Sequence, residues 1–182
     1  MNKKSGAAGE VRIIGGRWRR TKLPVPDLPG LRPTGDRLRE TLFNWLGQEL
    51  GGWKVLDAFA GSGALGLEAA SRGAQVTLVE QDARALRSLR EVVARLDGAA
   101  DCVRVQAGDA FGQIGPGWDL VLLDPPFEAD LFERALHAAC GSAWIYLEAS
   151  REFAAPKGYR LHRHLKAGAV HAHLFALDNP SP

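Results

Sequence analysis

Two short stretches of the chain contain residue types whose order could do chemistry. The first, residues 55–82, reads VLDAFAGSGALGLEAASRGAQVTLVEQD: an apolar run ends in an aspartate, a glycine-rich turn follows, and a second apolar run ends in a glutamate. The second is DPPF at positions 124–127, which directly follows a later apolar run, the fourth β-like run of this part of the chain. Carboxylates after buried strands, beside glycines that let a ligand approach the backbone, are typical of a site for an adenosine-containing cofactor.

The glycine-rich turn at 61–66 leaves two classes of cofactor open. Its sequence, GSGALG, matches the G-x-G-x-x-G pattern of dinucleotide-binding proteins, and Glu80 follows at about the spacing of a ribose-binding acid. Asp57 argues against a dinucleotide, because a carboxylate beside the turn repels phosphate but attracts the ammonium and sulfonium groups of S-adenosylmethionine. No other segment is long enough for a separate hydride-acceptor domain. The sequence therefore favours the methyl donor, with a nicotinamide or flavin oxidoreductase as the remote alternative.

The tetrapeptide at 124–127 indicates which group would receive the methyl. The exocyclic amine of a nucleobase is a poor nucleophile, because its lone pair is delocalised into the ring. The Asp124 carboxylate and the Pro125 carbonyl could accept its two N–H bonds, point the lone pair at the methyl group and stabilise the positive charge that develops on nitrogen. Phe127 could stack on a flipped-out base. The alternative is a strand-ending turn with Phe127 in the core, but the position at the cofactor edge favours the catalytic interpretation.

The formal net charge of +2 hides an uneven distribution along the chain. Residues 1–40 contain ten lysines and arginines against four acids, a balance of +6, which leaves −4 for the remaining 142 residues. A basic arm on a mildly acidic body indicates a polyanionic partner more than a solvated tail. Trp18 has two interpretations of equal weight, a stacking surface for a base and a hydrophobic anchor for the arm. The predicted RNA-binding residues are Arg17, Trp18, Arg19, Arg20, Lys22, Arg32 and Arg37.

The rest of the sequence supplies the elements that would position these groups. From residue 53 to about 149, apolar β-like runs alternate with helical patterns, which predicts a mostly parallel sheet covered on both faces. The last two runs, 159–165 and 170–177, have so short a link that they must form an antiparallel hairpin. A helix is predicted from Asp36, with Arg39 turned outward. The predicted units are a disordered N-terminus at 1–10, a basic RNA-binding arm and helix at 11–52, a catalytic domain at 53–178 and a tail at 179–182.

Composition argues against several other classes. The chain has no N-terminal apolar segment and no run of about 18 apolar residues, so no secretion signal or membrane span is indicated and a cytoplasmic location is expected. Cys102 and Cys140 are far apart, outside any CxxC spacing, and are predicted to be reduced, buried packing residues. Histidines recur in the last hairpin at 162, 164, 171 and 173. With no cysteine or carboxylate in register, they are expected on polar outward faces, with no bound metal.

Three stretches together resemble the RsmD family of bacterial methyltransferases, which modify N2 of a guanine in small-subunit ribosomal RNA. They are VRIIGGRWRRTKLPVPDLPGLRPTGDRLRETLFNWL, VLDAFAGSGALGLEAASRGA and VLLDPPF, and the resemblance covers about residues 11–177. It implies an α/β fold of the Rossmann-like class I S-adenosylmethionine-dependent methyltransferases, with a seven-stranded, mostly parallel sheet that ends in an antiparallel hairpin, plus the basic N-terminal extension. It also implies 16S rRNA as partner, within the assembled or assembling small ribosomal subunit, and a monomer is expected.

The resemblance further assigns roles within the site. Asp124, Pro125 and Phe127 would position the guanine, Glu80 would hold the ribose hydroxyls, and Asp109 with Ala110 would meet the adenine. The full set implied for the cofactor is Asp57, Phe59, Gly61, Ser62, Gly63, Glu80, Gln81, Asp109 and Ala110. The same pair of acceptors would serve any planar amine, so methylation of adenine N6 or of a protein glutamine is an alternative. A non-catalytic RNA-binding protein that uses the arm is the alternative from another class.

Overall fold

A seven-stranded sheet organises the chain in the computed structural model, which describes residues 9–31 and 35–178. The strands of this sheet are β3 Lys54–Asp57, β4 Gln75–Glu80, β5 Val103–Ala107, β6 Leu120–Leu123, β7 Trp144–Ala149, β8 Tyr159–Ala167 and β9 Val170–Leu177. The helices are α1 Asp36–Leu46, α2 Ala64–Ser71, α3 Ala83–Arg95 and α4 Phe132–Ala138. The predicted tail at 179–182, residues 1–8 of the predicted disordered N-terminus, and Arg32 lie outside the described residues.

The strand order is β5-β4-β3-β6-β7-β9-β8. Strands β3 to β7 pair in parallel, whereas β9 pairs antiparallel with both β7 and β8. The parallel sheet and its antiparallel end confirm the predicted fold class. The chain runs outward from β3 through β4 to β5 and then returns to β6 on the other side of β3. This reversal places a crevice between the carboxyl ends of β3 and β6, where ligands bind in open α/β sheets.

Both faces of the sheet are buried because its parallel strands are almost wholly apolar. All four residues of β6, LVLL, are buried, and neighbouring side chains alternate between two cores. Val55, Leu120 and Leu122 pack with α2, α3 and the arm in one core, while Leu56 and Val121 pack with α4 in the other. The same alternation applies at the strand ends, where residues two positions apart in one strand lie on the same face of the sheet.

The arm forms a small sheet of its own. Strand β1, Gly9–Arg12, pairs antiparallel with β2, Lys22–Val25. The strand begins at Gly9, so the prediction of a disordered N-terminus to residue 10 is wrong for its last two residues. Pro24 lies within β2, and a proline, which has no N–H to donate, is compatible with the edge of a two-stranded sheet.

The arm is fastened to α2 by backbone contacts. Gly16 lies so close to this helix that a Cβ atom there would be 1.9 Å from the carbonyl oxygen of Ser71. The Arg17 amide donates to that same carbonyl at 2.8 Å, and the Trp18 amide donates to the Ser71 hydroxyl at 3.0 Å. Only glycine permits this approach, so Gly16 fixes how the arm meets the main sheet.

A buried ion cluster joins the arm, α1 and α2. Glu68 is fully buried and pairs with Arg39 at 3.2 Å and with Arg72 at 2.9 Å. Its two oxygens also accept the amides of Ile14, at 2.9 Å, and Gly15, at 2.8 Å. Arg39 is fully buried, so the prediction that it turns outward is wrong. Helical spacing cannot identify an arginine whose buried partner lies on another helix.

The fourth helix is short. It covers only Phe132–Ala138, because Asp130 adopts a left-handed conformation, with φ of 48°, that separates a short 3-10 turn from α4. Cys102 and Cys140 are free, as expected, but half-buried rather than buried, and partial burial raises the pKa of both thiols. Within the described residues, no helix has the length and apolar character needed to span a membrane.

Candidate active site

A cleft of about 340 Å³ opens at the carboxyl edge of the sheet, around the crevice between β3 and β6. Its size falls in the range of small-molecule and cofactor sites. The loops that follow β3, β4, β5 and β6 form its walls, and a segment of the arm at 28–31 crosses its mouth. The predicted site residues that line it are Asp57, Phe59, Gly61, Ser62, Glu80, Gln81, Asp109, Ala110, Asp124 and Pro125.

The cleft is acidic. Its lining includes five carboxylates and, among the described residues, no lysine, arginine or histidine. A nicotinamide or flavin dinucleotide carries two phosphates, which such a lining repels, whereas a cationic ligand is attracted. The five carboxylates are Asp57, Glu80, Asp82, Asp109 and Asp124.

Asp57 is hydrogen-bonded to the first turn of α2, the helix that follows the glycine-rich loop. It ends β3, is 1 % exposed, and accepts the backbone N–H of Gly66, in the first turn of α2, at 2.9 Å. The amide that could cradle a phosphate at this helix end is therefore already used by a carboxylate. A Cβ at Gly66 would be 2.3 Å from Leu78 and 2.9 Å from the Asp57 carboxylate, so the glycine is needed for this contact.

The electrostatic state of Asp57 distinguishes it from an ordinary buried acid. Burial, with smaller contributions from the nearby Asp124 and Glu80 carboxylates, raises its pKa to about 7 despite the opposing effect of the hydrogen bond from the Gly66 amide. No ion pair involves Asp57 within residues 9–31 and 35–178. A cation that binds in the cleft would therefore supply the compensating charge that the described chain does not.

Glu80 is held in place by the loops it joins. It ends β4, and one oxygen accepts the Gly61 amide at 2.9 Å while the other accepts the Gln81 and Asp82 amides, both at 2.9 Å. A carboxylate offers about four acceptor sites, so this arrangement leaves capacity for a hydroxyl of a ligand. Asp82 also caps α3 by accepting the amides of two residues in its first turn.

Gly63 shapes the cleft without lining it. It precedes α2 with φ of 81°, and a Cβ there would be 2.7 Å from Leu89 and 2.9 Å from Leu67. The sequence predicted a cofactor contact for Gly63, but the structure gives it a supporting position behind the loop. The pattern alone could not separate a glycine that faces the ligand from one that the core requires.

The wall opposite the glycine-rich loop is formed after β5. Asp109 accepts the Phe111 amide at 3.2 Å and so caps the short 3-10 turn Ala110–Gly112. Phe59 meets Phe111 edge-on at 6.2 Å between ring centroids. The Arg134 guanidinium lies 3.6 Å from the centre of the Phe111 ring. These contacts fix the turn that carries Asp109 and Ala110 at the cleft.

The DPPF segment reaches the cleft with its first residues only. Asp124 follows β6 directly, is partly exposed, and lines the cleft together with Pro125. Phe127 does not line the cleft; its ring packs edge-on against Phe132 in α4, with 5.5 Å between centroids. The role of Phe127 in stacking on a base stays a prediction.

Two buried polar residues behind Asp124 were missed by the sequence analysis. In β7, the Tyr146 hydroxyl donates to Glu148 at 2.9 Å, and both side chains are almost completely buried. The pairing of β6 with β7 sets Leu123 beside Leu147, so Asp124 and Glu148 follow side by side at the rim. Burial raises the pKa of Tyr146 well above its ordinary value, with further increases from Glu148 and Asp124. A tyrosine and a glutamate within a buried strand were the available sequence signal.

The arm contributes to the cleft through residues that were not predicted. Leu28, Pro29, Gly30 and Leu31 line the cleft, and Leu31 packs against the glycine-rich loop so closely that a Cβ at Gly61 would be 2.6 Å from it. The sequence signal was the run of prolines that keeps this part of the chain extended. The arm therefore touches both the cleft and, through its other end, α2.

The predicted RNA-binding residues separate into two groups. Trp18 is 6 % exposed, and its indole N–H donates to the Asp97 carbonyl at 2.9 Å, so its packing supports the anchor interpretation. Arg17 donates to the same carbonyl at 2.9 Å. Lys22 pairs with Glu10 at 3.2 Å on the surface. Arg19, Arg20 and Arg37 are exposed.

A seven-stranded sheet with a terminal hairpin and an acidic cleft at the strand-order reversal has the architecture of the class I methyltransferases. The chain belongs to the RsmD family, since residues 11–176 match the family described as Conserved hypothetical protein 95. This confirms the resemblance found in the sequence.

Individual relatives agree with this assignment. The Escherichia coli K12 protein named Ribosomal RNA small subunit methyltransferase D is 44% identical over 179 residues, which is 92% of this chain and 90% of that protein. The solved structure of yhhF from Escherichia coli is 39% identical, covers 93% of this chain and 99% of its own, and has a TM-score of 0.81. An RNA methyltransferase from Salinibacter ruber, solved with S-adenosyl-L-homocysteine, shares the fold at 16% identity and a TM-score of 0.63, covering 83% of this chain and 97% of its own.

Proposed function

We propose that this protein transfers a methyl group from S-adenosylmethionine to the exocyclic N2 amine of a guanine in 16S ribosomal RNA. Its family membership makes it an S-adenosylmethionine-dependent rRNA methyltransferase. The observation that carries the finer proposal is the pair of acceptors, Asp124 and Pro125, at the end of β6 in a cleft that is lined with carboxylates.

The residues of the cleft fit the methyl donor. When bound, S-adenosylmethionine supplies an electrophilic methyl group on a positively charged sulfur. Asp57, buried and without an ion-pair partner in the described chain, would face the donor's cationic groups. Glu80 would accept from the ribose hydroxyls with the capacity that its bonds to the backbone amides leave. The turn at Asp109 and Ala110 would meet the adenine.

Asp124 and Pro125 would prepare the accepting amine. Each N–H of the amine would donate to one of the two acceptors, the Asp124 carboxylate and the Pro125 carbonyl. Such a geometry favours a pyramidal nitrogen whose lone pair is free to attack, and the carboxylate stabilises the positive charge that builds on it. Proline stiffens this segment and offers no competing N–H. The residues thereby position the amine and stabilise the charge of the transition state.

The arm would bind the RNA on the amino side of the sheet, away from the cleft, because Trp18 is anchored at the last residue of α2 and just after the end of α3. Its exposed arginines, Arg19 and Arg20, follow the anchored Trp18 in a tight turn in which the Arg20 amide donates to the Ile13 carbonyl at 2.8 Å. Guanidinium groups bind phosphate oxygens well, because they present paired donors in a plane. We propose the assembled or assembling small ribosomal subunit as the substrate, with the protein acting as a monomer in the cytoplasm.

The test is incubation with labelled S-adenosylmethionine and small ribosomal subunits that lack the modification. We expect one labelled nucleotide, recovered as N2-methylguanosine. Asp124→Asn should lower the rate about 10²- to 10³-fold, the usual cost of removing one charge-stabilising partner, with donor affinity nearly unchanged. Asp101→Asn, an exposed aspartate beyond α3, is the matched control and should keep full activity.

Each other outcome identifies a different function. Recovery of N6-methyladenosine or of a methylated protein glutamine would replace guanine as the substrate while keeping the acceptor pair. Donor binding without any incorporation, or full activity of Asp124→Asn, would contradict the assigned role of Asp124. RNA binding without donor binding would favour a non-catalytic RNA-binding protein.

A further inference from the structure

We propose that the terminal hairpin carries a Zn²⁺ site formed by His164, His171 and Glu152, separate from the methyl-transfer cleft. The sequence argued against a metal because the hairpin histidines had no carboxylate in register. The structure supplies one from outside the hairpin: Glu152, three residues after β7, offers an oxygen that lies within 4.8 Å of the ligand atoms of both histidines. The three residues come from three separate segments.

The spacing of the two imidazoles suits a shared metal ion. Nε2 of His164 lies 3.1 Å from Nδ1 of His171, and the rings are stacked with 5.2 Å between centroids. Two nitrogens bound at 2.0–2.1 Å to a tetrahedral Zn²⁺ are about 3.3 Å apart. The ring nitrogens are therefore close to the coordinating separation before any movement. A hydrogen bond between two neutral imidazoles gives a similar distance, so binding measurements must separate the two cases.

The Glu152 carboxylate could complete the site by a movement of its side chain alone. Glu152 is exposed, so its side chain can rotate by the distance that coordination requires. Two imidazoles and one carboxylate leave the fourth position of a tetrahedral ion for water. Nitrogen and oxygen ligands of this kind suit Zn²⁺ and similar borderline transition metals better than Mg²⁺ or Ca²⁺.

His173 holds the two ligands in place without being one. It is fully buried, accepts the Phe153 amide at Nε2 at 3.0 Å, and contacts the Leu147 carbonyl through Nδ1 at 3.2 Å. Both ring nitrogens are thus engaged. The centroid of its ring lies 4.9 Å from that of His164 and 6.3 Å from that of His171, so the three imidazoles are neighbours. The prediction that the hairpin histidines face outward is therefore wrong for His173.

The remaining charged groups around the site shape the expected affinity. Lys166 is the cross-strand partner of His171 and is exposed, so its positive charge belongs to the same face of the hairpin and would oppose a bound cation. Arg151 is directed to Phe153, at 4.1 Å from the ring, and to Glu133, at 3.5 Å. An ion at the site would join the segment after β7 to the hairpin.

Calorimetric titration of the tag-free protein with ZnCl₂ tests the site. We expect one Zn²⁺ per chain, and at least tenfold weaker binding for His164→Ala and for His171→Ala. Glu152→Gln should weaken binding by a smaller factor, and Lys166→Met should strengthen it by removing the nearby positive charge. His162→Ala is the matched control, because this histidine belongs to the same hairpin but packs on Trp144, at 5.1 Å between ring centroids.

A second measurement guards against loss of folding. Saturating Zn²⁺ should raise the thermal midpoint of the wild-type protein, and excess chelator should reverse the shift, because a ligand that binds only the folded state stabilises it. Circular dichroism should show that the variants are folded without metal. The proposal is overturned if Zn²⁺ does not bind stoichiometrically, or if binding is equal in wild type, His164→Ala and His171→Ala. Loss of binding in His162→Ala alone would place the metal elsewhere.

Discussion

Two buried carboxylates, Asp57 and Glu68, have opposite surroundings. Glu68 is 0 % exposed and is surrounded by Arg39, Arg72 and two backbone amides of the arm. Asp57 is 1 % exposed and accepts the backbone amide of Gly66 at 2.9 Å. A buried charge destabilises the folded state unless it is paired. Glu68 has such partners, whereas no ion pair involves Asp57 among the described residues.

The presence or absence of cationic partners separates a buried acid with a structural role from one with a functional role. Glu68 is compensated within the protein, and its role is to hold the arm against α2. Asp57 has other acids, Asp124 and Glu80, as its charged neighbours, and its pKa is raised to about 7. Perturbed acids of this kind, located in a cleft, are typical of functional sites. The cation that Asp57 lacks is therefore expected to be the ligand.

The largest change in stability should follow from removing the charge of Glu68, which pairs with Arg39 and Arg72. Glu68→Gln leaves the buried Arg72 without its carboxylate and the buried Arg39 with only the exposed Asp36 as an ion-pair partner, so the free energy of unfolding should fall by about 3–5 kcal/mol. Urea denaturation measures this. Glu133→Gln, which removes only an exposed pair with Arg151, is the control and should change stability by less than about 0.5 kcal/mol. Equal effects of the two substitutions would break the comparison.

At Asp57, by contrast, we expect removal of the carboxylate to increase the free energy of unfolding. In the unfolded chain this carboxyl ionises near pH 4, whereas in the folded protein it keeps its proton to about pH 7, so its ionisation costs stability as pH rises between these values. Asp57→Asn should therefore raise the free energy of unfolding of the ligand-free protein at pH 8, by up to about 4 kcal/mol for a pKa that is raised to about 7, and by almost nothing at pH 4. Thermal unfolding across this range is the measurement. A variant that is less stable than wild type at pH 8 would show that Asp57 is compensated after all.

The smallest effect concerns the arm that Glu68 anchors. Arg19→Gln with Arg20→Gln should leave stability unchanged but weaken RNA binding and reduce its salt dependence, by a slope of about 0.7–0.9 for each phosphate that the arm no longer neutralises. Binding titrations at several salt concentrations measure this slope. Arg160→Gln, at the opposite edge of the sheet, serves as control. An unchanged slope in the double variant would limit the arm to a structural role.

Local sequence patterns predicted the fold and the cleft. They did not predict the burial of residues whose partners are distant in the sequence. Alternating strands and helices, the terminal hairpin and the acids after β3, β4 and β6 could all be predicted, because each depends on a short run of residues. Arg39 and Trp18 could not be placed, since their burial depends on α2 and on the end of α3. The zinc proposal likewise depends on Glu152, which no spacing within the hairpin reveals.

Calorimetric measurement of S-adenosylmethionine affinity from pH 6 to pH 8, in wild type and in Asp57→Asn, tests the central claim most directly. If the donor's cationic groups compensate Asp57, binding favours the ionised carboxylate, so wild-type affinity should rise with pH through about 7 and protons should be released. The variant should bind at least tenfold more weakly at pH 8, with little dependence on pH. Equal affinities in the two proteins, with the same pH profile, would contradict the account.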